Sequence, residues 1–149
     1  MVETDSRAAS GAGIEHVDAA GCWALLAQAE VGRLGIAARG TVEIFPVNFV
    51  VHHERIVFRT SPGEKLLALT LTPAVAFEID GWDDRQAWSV LVKGTATPLS
   101  GDSEVLSASR TGLKSWVPDP KNTYVQIAPT EVTGRRFNRD PKAESVWYW

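Results

Sequence analysis

The chain has 149 residues and a formal net charge of −3 at pH 7, values that fit one domain with a core of its own. No basic run is present, so charge gives no reason to expect a nucleic-acid-binding protein. A single cysteine excludes an internal disulfide and a cysteine metal site. No apolar run reaches about 18 residues and the first residues lack an apolar signal segment, so we expect a cytoplasmic protein without a membrane span.

The first predicted helix follows a polar leader. Residues 1–14 are mostly small or polar, a composition typical of flexible termini. Asp18 is a suitable N-cap, and apolar residues then recur at helical spacing as far as Glu30. Cys22 lies in this helix and is expected to pack rather than react. We therefore predict a flexible leader at 1–14, a domain at 15–140 and a C-terminal tail at 141–149.

Two strands are predicted next, at residues 32–38 and 42–51, joined by a turn at Arg39 and Gly40. Both faces of the second strand are mostly apolar, which predicts burial on both sides. Pro46, in its middle, lacks the N–H that a strand ladder needs, so an edge, a bulge or a gap with room for a ligand is expected there. Asn48 then needs a partner, either in the protein or in a bound molecule, and we prefer the first.

A polar turn at 52–54 leads to a hairpin strand at 55–60. Ser61, Pro62 and Glu64 match the capping-box pattern, which predicts a helix that begins at Pro62. The free amides of a helix start favour an anion such as a phosphate, and Lys65 adds a positive charge. The alternative is that Glu64 satisfies these amides and Lys65 is solvated.

The rest of the chain is rich in strands. Thr72 and Pro73 end the helix, and Gly94 predicts a bulge or a close approach of backbone or ligand. We predict strands at 74–80, 86–99, 123–127 and 131–138, the last two separated by Pro129, and a helix at 102–112. Strands joined by short hairpins predict a closed or nearly closed β-barrel that carries helices.

Few side chains point to catalysis by the protein itself. His52 and His53 are adjacent, but we assign them to a hairpin turn because further metal ligands are absent nearby. Glu78 and Asp80 fit the polar face of a strand. No catalytic residue and no metal site is therefore predicted. Six tryptophans are many for this length, and some are expected at a subunit interface.

The segments GRLGIA, FPVNFVV, IVFRTSPGEK, PAVAFEID, WSVLVKGTA and EVTGRR, in this order, resemble the pyridoxamine 5'-phosphate oxidase-like family of FMN-binding split β-barrels. Within it, the likeness is greatest to the branch that includes the nitroimidazole-resistance proteins, and it runs from about residue 18 to 136. The resemblance implies a mainly β (α+β) fold, a split β-barrel of about six strands with helices. It also implies a homodimer with two FMN sites at the interface.

The resemblance also implies which residues hold the cofactor. The phosphate would be held by Arg59, Thr60, Ser61 and Lys65. The flavin ring would lie beside Phe45, Pro46, Val47 and Asn48, largely through their backbone. Trp88 and Ser89 would contact the ring from the second subunit, with Trp116 and Arg135 as weaker candidates near the other end of the site.

The function that the resemblance implies is an FMN-dependent oxidoreductase acting on a small molecule, in which the flavin carries the chemistry. Oxidation of pyridoxamine 5'-phosphate is not expected, because Glu64 precedes Lys65 where those oxidases carry an Arg-Lys pair. Related barrels hold the deazaflavin F420 or heme, so an F420-dependent reductase is one alternative. The acidic tail of F420 would need a basic groove, for which the candidates are Arg33, Arg39, Arg55, Arg59 and Lys65. A flavin-binding dimer without enzymatic activity is the other alternative.

Overall fold

The computed structural model describes residues 13–113 and 123–139. Its strands are β1 (Ile14–Val17), β2 (Val31–Ala38), β3 (Thr41–Val51), β4 (Ile56–Thr60), β5 (Ala74–Trp82), β6 (Gln86–Pro98) and β7 (Thr123–Asn138). Its helices are α1 (Ala19–Gln28), α2 (Glu64–Leu71) and α3 (Asp102–Ser109). These bounds confirm, within a few residues, the predicted helix that follows Asp18 and the predicted helix at 102–112. They also confirm the predicted strands at 32–38, 42–51, 55–60, 74–80 and 86–99.

Six of the strands form a closed antiparallel barrel in the order β7-β4-β3-β2-β5-β6, with a further β6–β7 pairing that completes the ring. The mainly β split-barrel fold predicted from the resemblance is confirmed. β1 adds to the outside of β7 and pairs Ile14 with Phe137. This short strand was missed, because the small residues before it favoured a leader that continues to residue 14.

β7 is one continuous strand, so the prediction of two strands separated by Pro129 is wrong. The β6–β7 register shifts between Lys93 and Gly94, which confirms the predicted bulge. Gly94 lies so close to β7 that a Cβ there would overlap the carbonyl oxygen of Ala128. The irregular pairing accommodates Pro129, since a proline is tolerated where a bulge interrupts the ladder.

The core fills the barrel from alternate positions of its strands. Phe58 and Phe77 are fully buried, and Phe77 meets Phe49 edge to face with ring centroids 4.8 Å apart. α1 covers one side, with Leu26 and Cys22 buried. The Asp18 carboxylate accepts a hydrogen bond of 2.8 Å from the Gly21 amide, which confirms the predicted N-cap.

Two predictions from the sequence concern reactive side chains near this core. Cys22 packs in the core, as predicted, with its sulfur beside Gly134 of β7. Burial, with a smaller contribution from Asp18, raises the pKa of its thiol. His52 exchanges backbone hydrogen bonds with Arg55 across the predicted turn. Its ring stacks on His53 and lies 2.9 Å from the Ser107 hydroxyl, a contact that ties α3 to the hairpin. In the described part of the chain, no helix is long and apolar enough to cross a membrane.

Candidate functional site

The wall of the closed barrel has a gap along the first part of β3, where this strand does not pair with β4. This strand pairs with β2 through residues 41–48, but with β4 only through residues 49–51. Pro46 lies in the part without a β4 neighbour and faces Arg33 of β2. A residue without an N–H fits such a position, so the gap predicted from Pro46 is confirmed.

The prediction that β3 is buried on both faces is wrong for its first half. Val47 and Phe49 face the core, whereas Val42 and Ile44 are 74% and 68% exposed. An apolar side chain on the second face of a strand gives the same sequence pattern whether it packs in the core or lies on the surface. Two neighbouring exposed apolar side chains make this face of β3 a candidate interaction surface.

A cavity of about 450 Å³ lies beside this opening, between α2 and the β2–β3 hairpin. This volume is within the range of roughly 300–1,000 Å³ that is usual for small-molecule sites. Its apolar lining comprises Ile36, Ala38, Phe45, Leu67, Ala68 and Leu71, and its polar lining comprises Arg39, Thr41, Glu43, Glu64, Lys65 and Thr72. The cavity combines an apolar wall with several polar groups, as ligand sites do.

Lys65 is the main candidate for binding an anion in this cavity. Its Nζ lies 4.6 Å from the centroid of the Phe45 ring, a cation–π contact. Partial burial lowers the pKa of Lys65 through desolvation. Among residues 13–113 and 123–139, neither ion pair of the structure involves Lys65. A half-buried ammonium without a carboxylate partner gains most from an anionic ligand.

The start of α2 differs from the predicted capping box. The helix begins at Glu64, two residues later than predicted, and its N-cap is Gly63, which has no side-chain hydrogen bond at the cap. Ser61 is therefore not the N-cap, and Glu64 occupies the first helical position, too early to close a capping box. The capping box predicted from Ser61, Pro62 and Glu64 is thus wrong, whereas the alternative in which Glu64 satisfies the free amides and Lys65 is solvated stays a prediction.

The other predicted phosphate residues precede α2 directly. Arg59 lies on β4 with its guanidinium carbon 5.4 Å from the centroid of the Tyr124 ring. Thr60 is buried, and its hydroxyl donates to the Ser61 carbonyl at 3.4 Å. Chain continuity places these residues at the same end of α2 as Lys65, although they do not line the cavity. Their role in holding a phosphate stays a prediction.

Asn48 has no side-chain hydrogen-bond partner within the described residues, so the preferred structural partner is not found. It is half-buried and lines a second cavity of about 290 Å³ together with Glu30 and Phe49. Val47, next to it, points into the core. Of the four predicted ring residues, Phe45 alone lines the larger cavity.

The residues predicted to act from a second subunit lie elsewhere on the barrel. Ser89 of β6 faces Arg135 of β7, and the adjacent Trp88 faces Arg136. β2 and β5 separate β6 from β3 in the ring, β4 separates β7 from it, and none of these residues lines the cavity. One chain therefore does not bring Trp88, Ser89 and Arg135 to the cavity of Phe45 and Lys65. Trp116 lies outside the described residues.

Glu43 lines the cavity but was not predicted as a site residue, and Arg39, which also lines it, was predicted only as a candidate for the basic groove of the F420 alternative. A sequence signal existed for Glu43, because it shares the face of Phe45 and Val47 and is the only charged residue on that otherwise apolar face of the strand. Leu67 and Leu71 also line the cavity, because both lie on the side of α2 that faces it. The signal for Arg39 was its positive charge, although its position was assigned to a turn.

A separate charged cluster lies on the outer face of β2 and β5. Arg33 donates to Glu78 at 3.0 Å and to Asp80 at 2.6 Å. Desolvation and the neighbouring Asp80 raise the pKa of Glu78 to about 7 against the opposing effect of Arg33. Glu78 and Asp80 therefore belong to a surface ion-pair network, as expected of a strand's polar face.

This cluster predicts a pH dependence of stability. The folded state holds a proton on Glu78 that the unfolded state releases, so the free energy of unfolding falls as pH rises from about 4.5 to about 7. Thermal unfolding of E78Q should show a flatter pH profile across this window than the wild type. The matched variant E131Q should keep the wild-type profile, and an unchanged slope in E78Q would contradict the assignment.

Comparison with known proteins places this geometry in a family. The family model described as pyridoxamine 5'-phosphate oxidase matches residues 18–136. The chain belongs to the pyridoxamine 5'-phosphate oxidase family. The family recognised from the sequence segments is thereby confirmed, over the same residues.

Three solved structures are similar to this member of the family. A pyridoxamine 5'-phosphate oxidase-like protein of Corynebacterium glutamicum is 36% identical, with a TM-score of 0.80 over 85% of this chain and 99% of that chain. The FAD binding protein of Mycobacterium smegmatis is also 36% identical, with a TM-score of 0.75 over 85% and 100%. A 5-nitroimidazole antibiotic resistance protein homologue of Bacteroides thetaiotaomicron is 17% identical, with a TM-score of 0.70 over 85% and 90%, and shares the fold.

Proposed function

We propose that this protein binds a flavin in the cavity beside α2, with the cofactor phosphate held by Lys65, and acts as an FMN-dependent oxidoreductase on a small molecule. The observation that carries the proposal is the half-buried Lys65 ammonium, which faces the cavity without a carboxylate partner in the described chain. The family and the similarity to a FAD binding protein support a flavin-type cofactor.

The residues of the cavity fit such a cofactor. Phe45, Ile36 and Leu67 offer apolar surface to a flat ring, while Lys65 offers a charge to a phosphate. Bound flavin supplies hydride or electron transfer to and from small molecules. The contribution of the chain is to bind and orient the cofactor and to keep water from the apolar wall.

We further propose a homodimer that completes the site. Val42 and Ile44 are exposed side by side on β3. The neighbouring positions on β2 carry the small residues Ala37 and Gly35, which leave room for side chains of a second chain. In such a dimer Trp88 and Ser89 would reach the cofactor of the partner, as the resemblance implies. The FMN site is then shared by both chains.

Replacing Ile44 by aspartate should dissociate this dimer. A carboxylate buried at an apolar interface loses its hydration, so we expect the monomer mass to predominate at micromolar concentration. Sedimentation equilibrium gives the mass directly. T95D is the matched control, because Thr95 is exposed on β6 and lies outside the proposed surface. A dimer of unchanged stability in I44D would place the interface elsewhere.

The F420-dependent alternative has less support in the geometry. Of the five basic residues considered for a groove, Arg39 and Lys65 line the cavity, while Arg33 is engaged by two carboxylates on the outer face. A binding dimer without turnover is the second alternative, and fold similarity leaves it open.

The test of the oxidoreductase proposal is anaerobic mixing of the FMN-loaded protein with NADH and, separately, NADPH. Bleaching of the flavin band, and its return on addition of a quinone or a nitroaromatic acceptor, is the expected result. Stable binding of FMN without reduction by either nicotinamide and without turnover of the chemically reduced flavin would favour the non-enzymatic dimer. A parallel sample is loaded with F420 in place of FMN, and reduction and reoxidation of the F420 band there, without any turnover of the FMN-loaded sample, would favour the deazaflavin reductase.

A further inference from the structure

Two carboxylates share the cavity with Lys65. Glu43 stands two positions before Phe45 on β3, so strand alternation puts both side chains on the same face. Glu64 is the first residue of α2 and directly precedes Lys65. With Arg39 from the β2–β3 turn, the cavity is lined by two acidic and two basic residues.

These four charged side chains form no ion pair with one another in the described part of the chain. The ion pairs found in residues 13–113 and 123–139 both belong to Arg33 on the outer face of the barrel. Lys65 has the Phe45 ring as its neighbour rather than a carboxylate. The negative charges of Glu43 and Glu64 therefore act on whatever occupies the cavity, and they oppose the attraction that Arg39 and Lys65 exert on an anion.

We propose that Glu43 and Glu64 determine which flavin-type cofactor the cavity accepts, by repelling cofactors that carry a polyanionic tail. The inference rests on the proposed function, in which Lys65 holds a cofactor phosphate. FMN ends at this phosphate, whereas F420 continues from it into a chain of glutamates. Each further carboxylate adds a like charge near Glu43 and Glu64, and among the described lining residues only Arg39 is basic besides Lys65, so it cannot offset several such charges.

The inference is tested by the ratio of the dissociation constants of F420 and FMN. Both are measured by fluorescence titration, with F420 of one defined tail length, for the wild type and for E43Q/E64Q. Removing the two charges should lower the ratio by about tenfold, because F420 carries more negative charge than FMN and gains more. High salt should reduce this difference, since salt screens charges at a partly open cavity.

E54Q/E131Q is the matched control. Both residues are exposed and lie outside the cavity, in the β3–β4 turn and on β7, and the change in net charge is the same. We expect its ratio to stay within about twofold of the wild type, since distant surface charges are largely screened. Thermal unfolding of each variant shows that the protein is folded before the titrations are compared.

The outcomes distinguish failure of the role of Glu43 and Glu64 from failure of the proposed flavin site. A ratio that is unchanged in E43Q/E64Q while FMN still binds overturns the role of Glu43 and Glu64 and leaves the flavin site intact. An equal fall of the ratio in E54Q/E131Q overturns it as well, because net charge rather than the cavity would then be responsible. Failure of the wild type to bind FMN overturns the proposed function, and this inference with it.

Discussion

FMN should bind the K65A variant roughly 10- to 100-fold more weakly than the wild type, the effect expected for loss of a charge-assisted hydrogen bond to a phosphate. Lys65 is half-buried on the Phe45 ring and has no competing carboxylate partner in the described chain. Its removal therefore takes away the cavity's central positive charge. Titration of the apoprotein with FMN, followed by flavin fluorescence, measures the loss.

K93A and K65R are the controls for this experiment. Lys93 is exposed on β6 and outside the cavity, so K93A should bind FMN as the wild type does. K65R keeps the charge with a different shape and should retain part of the affinity. If K65A binds FMN as tightly as K93A, the phosphate is held elsewhere, and Arg59 and Thr60 become the first residues to test.

The second large effect, a loss of stability, is expected at the bulge in the β6–β7 pairing. G94A places a methyl group against the carbonyl oxygen of Ala128, a backbone atom that can move only if the β6–β7 pairing moves with it. We expect a loss of about 2–3 kcal/mol in the free energy of unfolding, the usual cost of overpacking in a tight site. For a chain of this length this corresponds to roughly 6–12 °C in Tm.

G101A is the matched glycine replacement. A Cβ at Gly101 would have no neighbour nearer than 3.7 Å, so the change should cost only a few tenths of a kcal/mol through the cap of α3. Thermal and denaturant unfolding of the two variants gives the comparison. Equal stability of G94A and G101A would show that the strands do not approach each other at Gly94 as described.

Much of the barrel could be predicted from local patterns. Alternation in β5 identifies Val75, Phe77 and Ile79 as core residues, and all three are buried. Pro46 and Gly94 each indicate that the strand lacks a neighbour or pairs with it irregularly at that position. These predictions succeeded because they depend on the chain's own geometry rather than on distant contacts.

The predictions that failed depend on what lies opposite in space. The helix could begin after an N-cap at Ser61 or after one at Gly63, and the sequence does not show which of the two forms. Val42 and Ile44 have the composition of a buried strand, and only the folded chain shows them exposed. Pro129 separates strands in most contexts, but the bulge at Gly94 lets β7 continue through it.

The site was predicted in part for the same reason. Lys65 was selected from its place near a helix start and from the resemblance, and the structure puts it on Phe45, another predicted residue. The contributions of Arg39 and Glu43 arise where a hairpin and α2 meet across the cavity. Trp88, Ser89 and Arg135 do not line this cavity, and their role in the site stays a prediction.

The most direct measurement is the visible absorbance spectrum of the purified wild-type protein during titration with FMN, with the molecular mass recorded on the same sample. Our account predicts flavin bands that shift and sharpen on binding, saturation at one FMN per chain, and the mass of a dimer. A spectrum identical to that of free FMN at every ratio would contradict the central claim, that the cavity beside Lys65 is a flavin site.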